Sequence, residues 1–183
     1  MITKLNDVTQ AYPFIQDGKI IAYPTEAVYG LGCDPFNQVA VSLLLGLKQR
    51  PADKGLILLI ADWVQLEPLI QPISDAFLAP VKATWPGSVT WVFPKSHLVP
   101  SWLSGGRDTI AIRMSAHPIA HALAKHGPIV STSANFSGEP SVTSIEALEA
   151  QFPLGIDAVI CGALGGEKQP SRIFDLLSGQ QLR

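Results

Sequence analysis

The sequence predicts an α/β fold: a single domain over residues 1–183 with a twisted mixed sheet flanked by helices. Strand-length apolar runs alternate along the chain with stretches of helical period, the pattern of strands and helices layered on one another. Neighbouring strand candidates with no helix between them make the sheet mixed rather than wholly parallel. No internal repeat, low-complexity tract or linker rich in Gly, Ser and Pro divides the chain.

From the N-terminus, Asn6 caps a helix that runs through about Asp17, with Val8, Ala11, Phe14 and Ile15 on one face and Gly18 at its end. Lys19 to Tyr23 reads as a buried strand stopped by Pro24, followed by a turn at Gly30 and Gly32. Val39 to Lys48 has helical period, and Leu56 to Ala61 is a continuous apolar strand. Two helical stretches follow, Asp62 to Ile70 and Ile73 to Thr84. Ser88 to Phe93 and Thr109 to Met114 read as strands. His117 to His126 is a helix opened by Pro118 in its first turn. Ile129 to Ser131 is a short strand, Ser144 to Phe152 a helix, and Ala158 to Cys161 and Arg172 to Leu177 are the last strands.

Composition narrows the functional classes. Charged residues are 15% of the chain, well below the usual quarter, against 47% hydrophobic, as in an ordinary globular protein. A net charge of −2 argues against a generally basic nucleic-acid binder, so an anion site must be a local cluster. The two cysteines, Cys33 and Cys161, stand far apart in apolar settings, which fits a reducing cytoplasm and small buried side chains. The N-terminus has no signal-peptide core and no apolar run is long enough to span a membrane, so a cytoplasmic location is expected.

Several motifs fail on inspection. The stretch GALGGEK (162–168) has Glu167 where a Walker loop needs Gly, and Gly30-Leu31-Gly32 lacks the third glycine of a dinucleotide fingerprint. His117 and His121 lie four apart with His126 nearby, but no carboxylate completes a metal set, and a solvated helix face accounts for them. No metal ligand is therefore assigned.

Four stretches do suggest a site. "KQRPADKG" (48–55) places Lys48, Arg50 and Lys54 within seven residues of a chain with 13 Lys plus Arg, which suits a polyanion such as triphosphate. In "YPTEAVYGLGCD" (23–34), Thr25 and Glu26 leave a strand and glycines allow close backbone approach. In "TIAIRM" (109–114), Thr109 and Arg113 share a face, and an arginine in so apolar a strand demands a carboxylate, from the protein or from a ligand. "STSANFSGEP" (131–140) gathers small hydroxyl and amide side chains just after an apolar strand, where they can converge on a ligand.

These stretches, with "WPGSVT" and "PSRIFDL", come in the order expected for the YrdC/TsaC family, the threonylcarbamoyl-AMP synthases, which the chain resembles from about residue 7 onward. The Lys-x-Arg-Pro and Ser-x-Asn elements joined to Tyr-Pro-Thr-Glu are specific as a set. The chain looks like the short, single-domain form with a YrdC-like fold. The resemblance implies synthesis of threonylcarbamoyl-adenylate and pyrophosphate from L-threonine, bicarbonate and ATP. It further implies Mg²⁺ on the phosphates and downstream proteins that carry the product to tRNA as threonylcarbamoyladenosine. By motif, Lys48 and Arg50 would be the catalytic pair and hold ATP, together with Thr109, Ser133, Asn135 and Ser141. Thr25, Arg113, Ser131 and Ser171 would hold threonine. Two departures stand out: Arg172 follows Ser171 where the family commonly has a small hydroxyl residue, and Leu59 stands near where some relatives have His.

Two other classes compete. A non-catalytic RNA-binding module would use Lys48, Arg50, Lys54, Arg107 and Arg113 on backbone phosphates, with weak, salt-dependent RNA binding and no ATP hydrolysis as its mark; the net charge of −2 and the lack of a basic stripe elsewhere stand against it. A serine hydrolase would need Ser133 beside Lys48 as its base, but no Gly-x-Ser-x-Gly element exists.

Overall fold

A computed structural model describes residues 1–183 and shows nine strands hydrogen-bonded in the order β1-β8-β2-β3-β7-β4-β6-β5-β9. The elements along the chain are β1 (Thr3–Leu5), α1 (Tyr12–Gln16), β2 (Ile21–Pro24), β3 (Tyr29–Gly32), α2 (Gln38–Leu47), β4 (Ile57–Ile60), α3 (Asp75–Thr84), β5 (Val89–Pro94), α4 (Ser101–Ser104), β6 (Thr109–Met114), α5 (Pro118–Ala124), β7 (Ile129–Ser133), α6 (Ile145–Gln151), β8 (Ala158–Ile160) and β9 (Arg172–Asp175). Pairing is mixed, as expected. The β1/β8, β2/β8, β4/β6 and β5/β9 pairs are parallel, and β2/β3, β3/β7, β4/β7 and β5/β6 are antiparallel.

Some expected elements shift. The first helix begins as a 3-10 turn over Val8–Ala11, capped by Asp7 in a reciprocal box with Gln10, and becomes α1 only at Tyr12. The stretch Asp62 to Ile70 forms only a 3-10 turn at Glu67–Leu69, and the following helix starts at Asp75. Gly30 and Gly32 are not a turn. They lie within β3, where alternate residues face one side of the sheet and the missing side chains let neighbours close in.

Alternation along the central strands divides the core. Leu58, Ile60, Ile112, Met114 and Val130 belong to a large cluster on one face, continuous with α2 and with the Trp85, Trp91 and Phe93 aromatics. Leu59 and Ile129 point to the other face and join Ile21, Tyr23, Ala120, Leu123 and Ala124 in a smaller cluster under α1 and α5. These two short helices leave part of that second face uncovered, and the cleft described below lies there. A Cβ at residue 32 would sit 2.5 Å from Val130 O and 3.0 Å from Tyr23 Cε1, with backbone on one side and a buried ring on the other. Gly32→Ala should therefore lower stability by about 1–3 kcal/mol, read as a fall in the urea midpoint with unchanged slope. An unchanged midpoint would mean that β3 and β7 are not packed this closely.

Candidate functional site

The exit of β2, the middle of β3, and the ends of β4, β6 and β7 surround a cleft with about 840 Å³ of empty volume, its open mouth included. Thr25, Arg50, Arg113, Ser131, Ser133 and Ser171 of the sequence-derived set line it. Sheet register explains the convergence. Leu59 pairs with Arg113, Ile57 with Ser131 and Gly30 with Ser133, each step two residues along, so these positions run diagonally over one face of four neighbouring strands. Gly30 adds room, since a Cβ there would meet Thr25 Cγ2 at 3.3 Å.

Arg113 finds its carboxylate inside the protein. Its Nη2 forms an ion pair with Glu26 Oε2, both side chains being 10% exposed, and its Nε donates to Gly87 O at 2.9 Å. Glu26 Oε1 accepts from Ser115 Oγ at 2.8 Å and from the Ala116 N–H at 3.0 Å. Burial raises the Glu26 pKa, but the Arg113 charge and these hydrogen bonds outweigh it and leave the carboxyl below its ordinary value. Arg113 Nη1 makes no hydrogen bond and is not among the buried polar atoms, so it is open to the cleft. Beside it Thr25 closes a tight turn, its Oγ1 donating to Val28 O at 2.7 Å.

Also in the cleft wall, Arg50 Nη2 donates to Gly55 O at 2.9 Å while its buried Nε has no partner. Burial, then the charges of Arg183 and Arg107, press the Arg50 pKa down. Arg50 and Arg183 in the wall, and Arg107 near Arg50, form no ion pair with any carboxylate, a local gathering of positive charge in a chain of net charge −2.

Lys48 takes a different place from the one its polar neighbourhood suggested. It is 2% exposed and lies behind the wall, not in it. Its Nζ donates to Ser133 O, to Asn135 O at 2.7 Å and to Asn135 Oδ1 at 3.2 Å, while its own carbonyl accepts from the Ser137 N–H at 2.9 Å. The small polar residues after β7 thus wrap around a buried ammonium. Ser133 Oγ donates to Asn135 Oδ1 at 2.7 Å, and Asn135 Nδ2 donates to Glu139 O at 2.6 Å. Burial, reinforced by Arg50, lowers the Lys48 pKa to about 8.

Asn135 is in this shell and not in the cleft wall. Ser141 sits on the segment that returns to Tyr29 through the Tyr29 N–H to Val142 O bond. Thr109 shares the Arg113 face but pairs with Pro94 at the far end of β6, and it does not reach the wall either. Arg172 is exposed and lies over the Phe174 ring, 5.7 Å from its centre. His117 is buried, not solvated, and its Nε2 contacts Ala163 O at 3.0 Å. Cys33 and Cys161 are both free.

Sequence reasoning named Glu26 without its ion pair, and it missed Ser88 and Arg183 among other wall residues. Arg183 arrives because residues 180–183 pair back on β9, with the Ile173 N–H donating to Arg183 O at 3.0 Å. Its Nη2 then donates to Ser171 O at 3.0 Å, and Ser171 Oγ pairs with Thr90 Oγ1 at 3.0 Å. Glu26 gave a local signal, an acid directly after the threonine candidate. Arg183 gave none.

A family model named Sua5/YciO/YrdC and described as "Telomere recombination" matches residues 13–183. The chain is 46% identical over 185 residues to the threonylcarbamoyl-AMP synthase of Coxiella burnetii, covering 98% of this chain and 100% of that protein. It is 45% identical to the Pseudomonas aeruginosa protein of that name, covering 92% of each. Among solved structures, P. abyssi Sua5 complexed with L-threonine superposes with a TM-score of 0.85 at 39% identity, covering 96% of this chain. The present chain spans only 54% of that larger protein. E. coli YciO superposes with a TM-score of 0.81 at 25% identity, covering 96% of this chain and 88% of that one.

The buried lysine yields a stability test. With a folded pKa of about 8 against 10.5 unfolded, Lys48 binds fewer protons in the native state between those values, so its contribution to stability rises with pH across that window. Below about pH 8 the cost of burying its charge is fully present. Relative to Lys48→Met, the wild type should gain at most roughly 3 kcal/mol between pH 8 and 10.5, measured by urea titration at each pH. A parallel pH dependence in both proteins would show that Lys48 is not desolvated.

Proposed function

The chain belongs to the Sua5/YciO/YrdC family, and on that premise we propose that its cleft makes threonylcarbamoyl-AMP, using residues 1–183 as one catalytic domain. The substrates are L-threonine, bicarbonate and ATP, and the second product is pyrophosphate. One observation carries the assignment. A guanidinium pinned by Glu26 and Gly87 keeps one nitrogen open to the cleft, while Arg50 and Arg183, which have no ion partner, line the same cleft.

Arg113 receives the threonine carboxylate, with Thr25 and Ser131 around it and Leu59 supplying an apolar contact in place of a polar one. Arg50 and Arg183 receive the polyphosphate, and Ser133 and Ser171 line the wall between the two sides. Lys48 adds its charge from behind and holds the Ser133 and Asn135 carbonyls in place. Thr109 and Ser141 lie outside this wall and would meet only a part of the nucleotide that extends beyond it.

The reaction needs no protein nucleophile. Threonine's amine and bicarbonate give a carbamate with loss of water. A carbamate oxygen then attacks the α-phosphorus, the bond to the β-phosphate oxygen breaks, and pyrophosphate leaves. What the protein supplies is alignment of two anionic reactants and positive charge where pyrophosphate develops. Mg²⁺ brought in with ATP would find no free carboxylate in the wall, because the one acid there, Glu26, is already committed to Arg113, Ser115 and Ala116; it would add positive charge on the phosphates beside that of Arg50. The adenylate then passes to the proteins that modify tRNA. No helix is long and apolar enough to cross a membrane, and a cytoplasmic enzyme matches that use. Weak RNA contact would fall to Lys54 and Arg107 at the rim.

Pyrophosphate release from the pure protein should require threonine, bicarbonate and ATP, each left out in turn. Release without threonine would remove the assignment. Arg50→Ala should raise the ATP KM roughly ten- to a hundredfold, the value of a charged hydrogen bond, with little change for threonine. Arg113→Lys should do the reverse, because lysine keeps the charge and loses the fork. Equal loss of both substrates in Arg113→Lys would place that residue on the phosphates. In the wild type the ATP KM should also rise as pH passes about 8 and Lys48 loses its proton, a step that Lys48→Met should lack.

A further inference from the structure

Glu26 is the one carboxylate in the cleft wall, and nothing in the family resemblance gives it a role. It is held more firmly than a counter-ion for Arg113 requires. Oε1 is engaged by Ser115 Oγ and the Ala116 N–H, and Ser115 Oγ in turn accepts from the His117 N–H at 3.1 Å. The backbone is held as well. Glu26 O accepts from the Glu167 N–H at 2.9 Å, and Thr25 O accepts from the Gly165 N–H at 3.1 Å. The segment carrying those donors comes so near that a Cβ on Gly165 would lie 2.9 Å from Glu26 Cα. The start of α5 and the stretch 162–171 therefore converge on a single acid, and His117 joins them to each other through Ala163 O.

We propose that Glu26 is a positioning residue for the threonine side of the cleft, acting through Arg113. A guanidinium is planar, and two fixed contacts on it determine where its remaining nitrogen points. Gly87 O holds Nε and Glu26 holds Nη2, so Nη1 is directed into the cleft. A buried ion pair is weak evidence for stability, because hydrophobic replacements often do as well. Its value here is orientation. Ser115 extends the chain of control one step further from the ligand, being 1% exposed and outside the cleft wall.

The proposal rests on the synthase function above, and its test separates the two. Initial rates of pyrophosphate release would be measured against threonine at saturating ATP, and against ATP at saturating threonine, for the wild type, Glu26→Gln and Ser115→Ala. Glu26→Gln keeps the shape but loses the charge that holds Nη2, and should raise the threonine KM roughly ten- to a hundredfold while the ATP KM stays within about twofold. Ser115→Ala, which only loosens Glu26, should raise the threonine KM a few-fold and again spare ATP. Should Glu26→Gln lose its fold by circular dichroism, the Ser115→Ala split decides alone. Parallel rises in both KM values, or a fall in kcat with neither KM changed, would make Glu26 merely structural and overturn the proposal. A wild type that turns over without threonine would overturn the synthase function and the proposal together. Threonine-dependent turnover with no threonine-specific change in the variants would overturn the proposal alone.

Discussion

A guanidinium in the middle of an apolar strand sets the terms for the rest of the cleft. β6 reads Thr-Ile-Ala-Ile-Arg-Met, and its register against β4 brings Arg113 beside Leu59, where only its Nη1 is left open. An unpaired charge there would cost several kcal/mol. Glu26 offsets that cost, and the turn after β2, the start of α5 and the stretch 162–171 are drawn together around Glu26. The side proposed for the threonine carboxylate is thus a product of electrostatic necessity in the fold. Removing the acid should disturb the ligand geometry before it disturbs the sheet, because the sheet is secured independently by its two apolar clusters.

The side proposed for the polyphosphate is built on the opposite principle. Arg50, Arg107 and Arg183 gather without carboxylate partners, which is tolerable because Arg107 and Arg183 remain exposed and Arg50 is only half-buried. Their mutual repulsion favours any anion that enters. Lys48 contributes in a third way. Buried and donating to three oxygens of the β7 loop, it converts a run of small polar residues into an ordered wall. Protonation therefore acts in opposite directions on this residue: it costs stability through burial, and it strengthens attraction for phosphate.

Much of the fold could be read from local pattern. The β6 boundaries match the apolar run residue for residue, and β4, β5 and β7 lie within one or two residues of their expected limits, because apolar runs flanked by Gly and Pro are strong strand signals. β1 was missed since three residues carry too little period, and the β3 glycines were taken for a turn since their packing reason lies in Tyr23 and Val130. At the site, Arg113, Thr25, Ser131, Ser133, Ser171 and Arg50 were identifiable from residue type and motif, and they do share one cleft. The remainder depends on contacts distant in sequence. Glu26 meets Arg113 across 87 positions, Lys48 meets Asn135 across 87, and Arg183 enters by pairing back on β9. Burial of Lys48 was hidden for the same reason, since the loop that covers it lies far along the chain.

The central claim is that one guanidinium holds threonine while others hold the nucleotide. A crystal structure of the protein with L-threonine and a non-hydrolysable ATP analogue tests it most directly. The account predicts the threonine carboxylate within hydrogen-bond distance of Arg113 Nη1, Glu26 still paired with Nη2, and the phosphates on Arg50 and Arg183. Phosphate oxygens on Arg113, or a threonine carboxylate on Arg50 with Glu26 turned away, would contradict it.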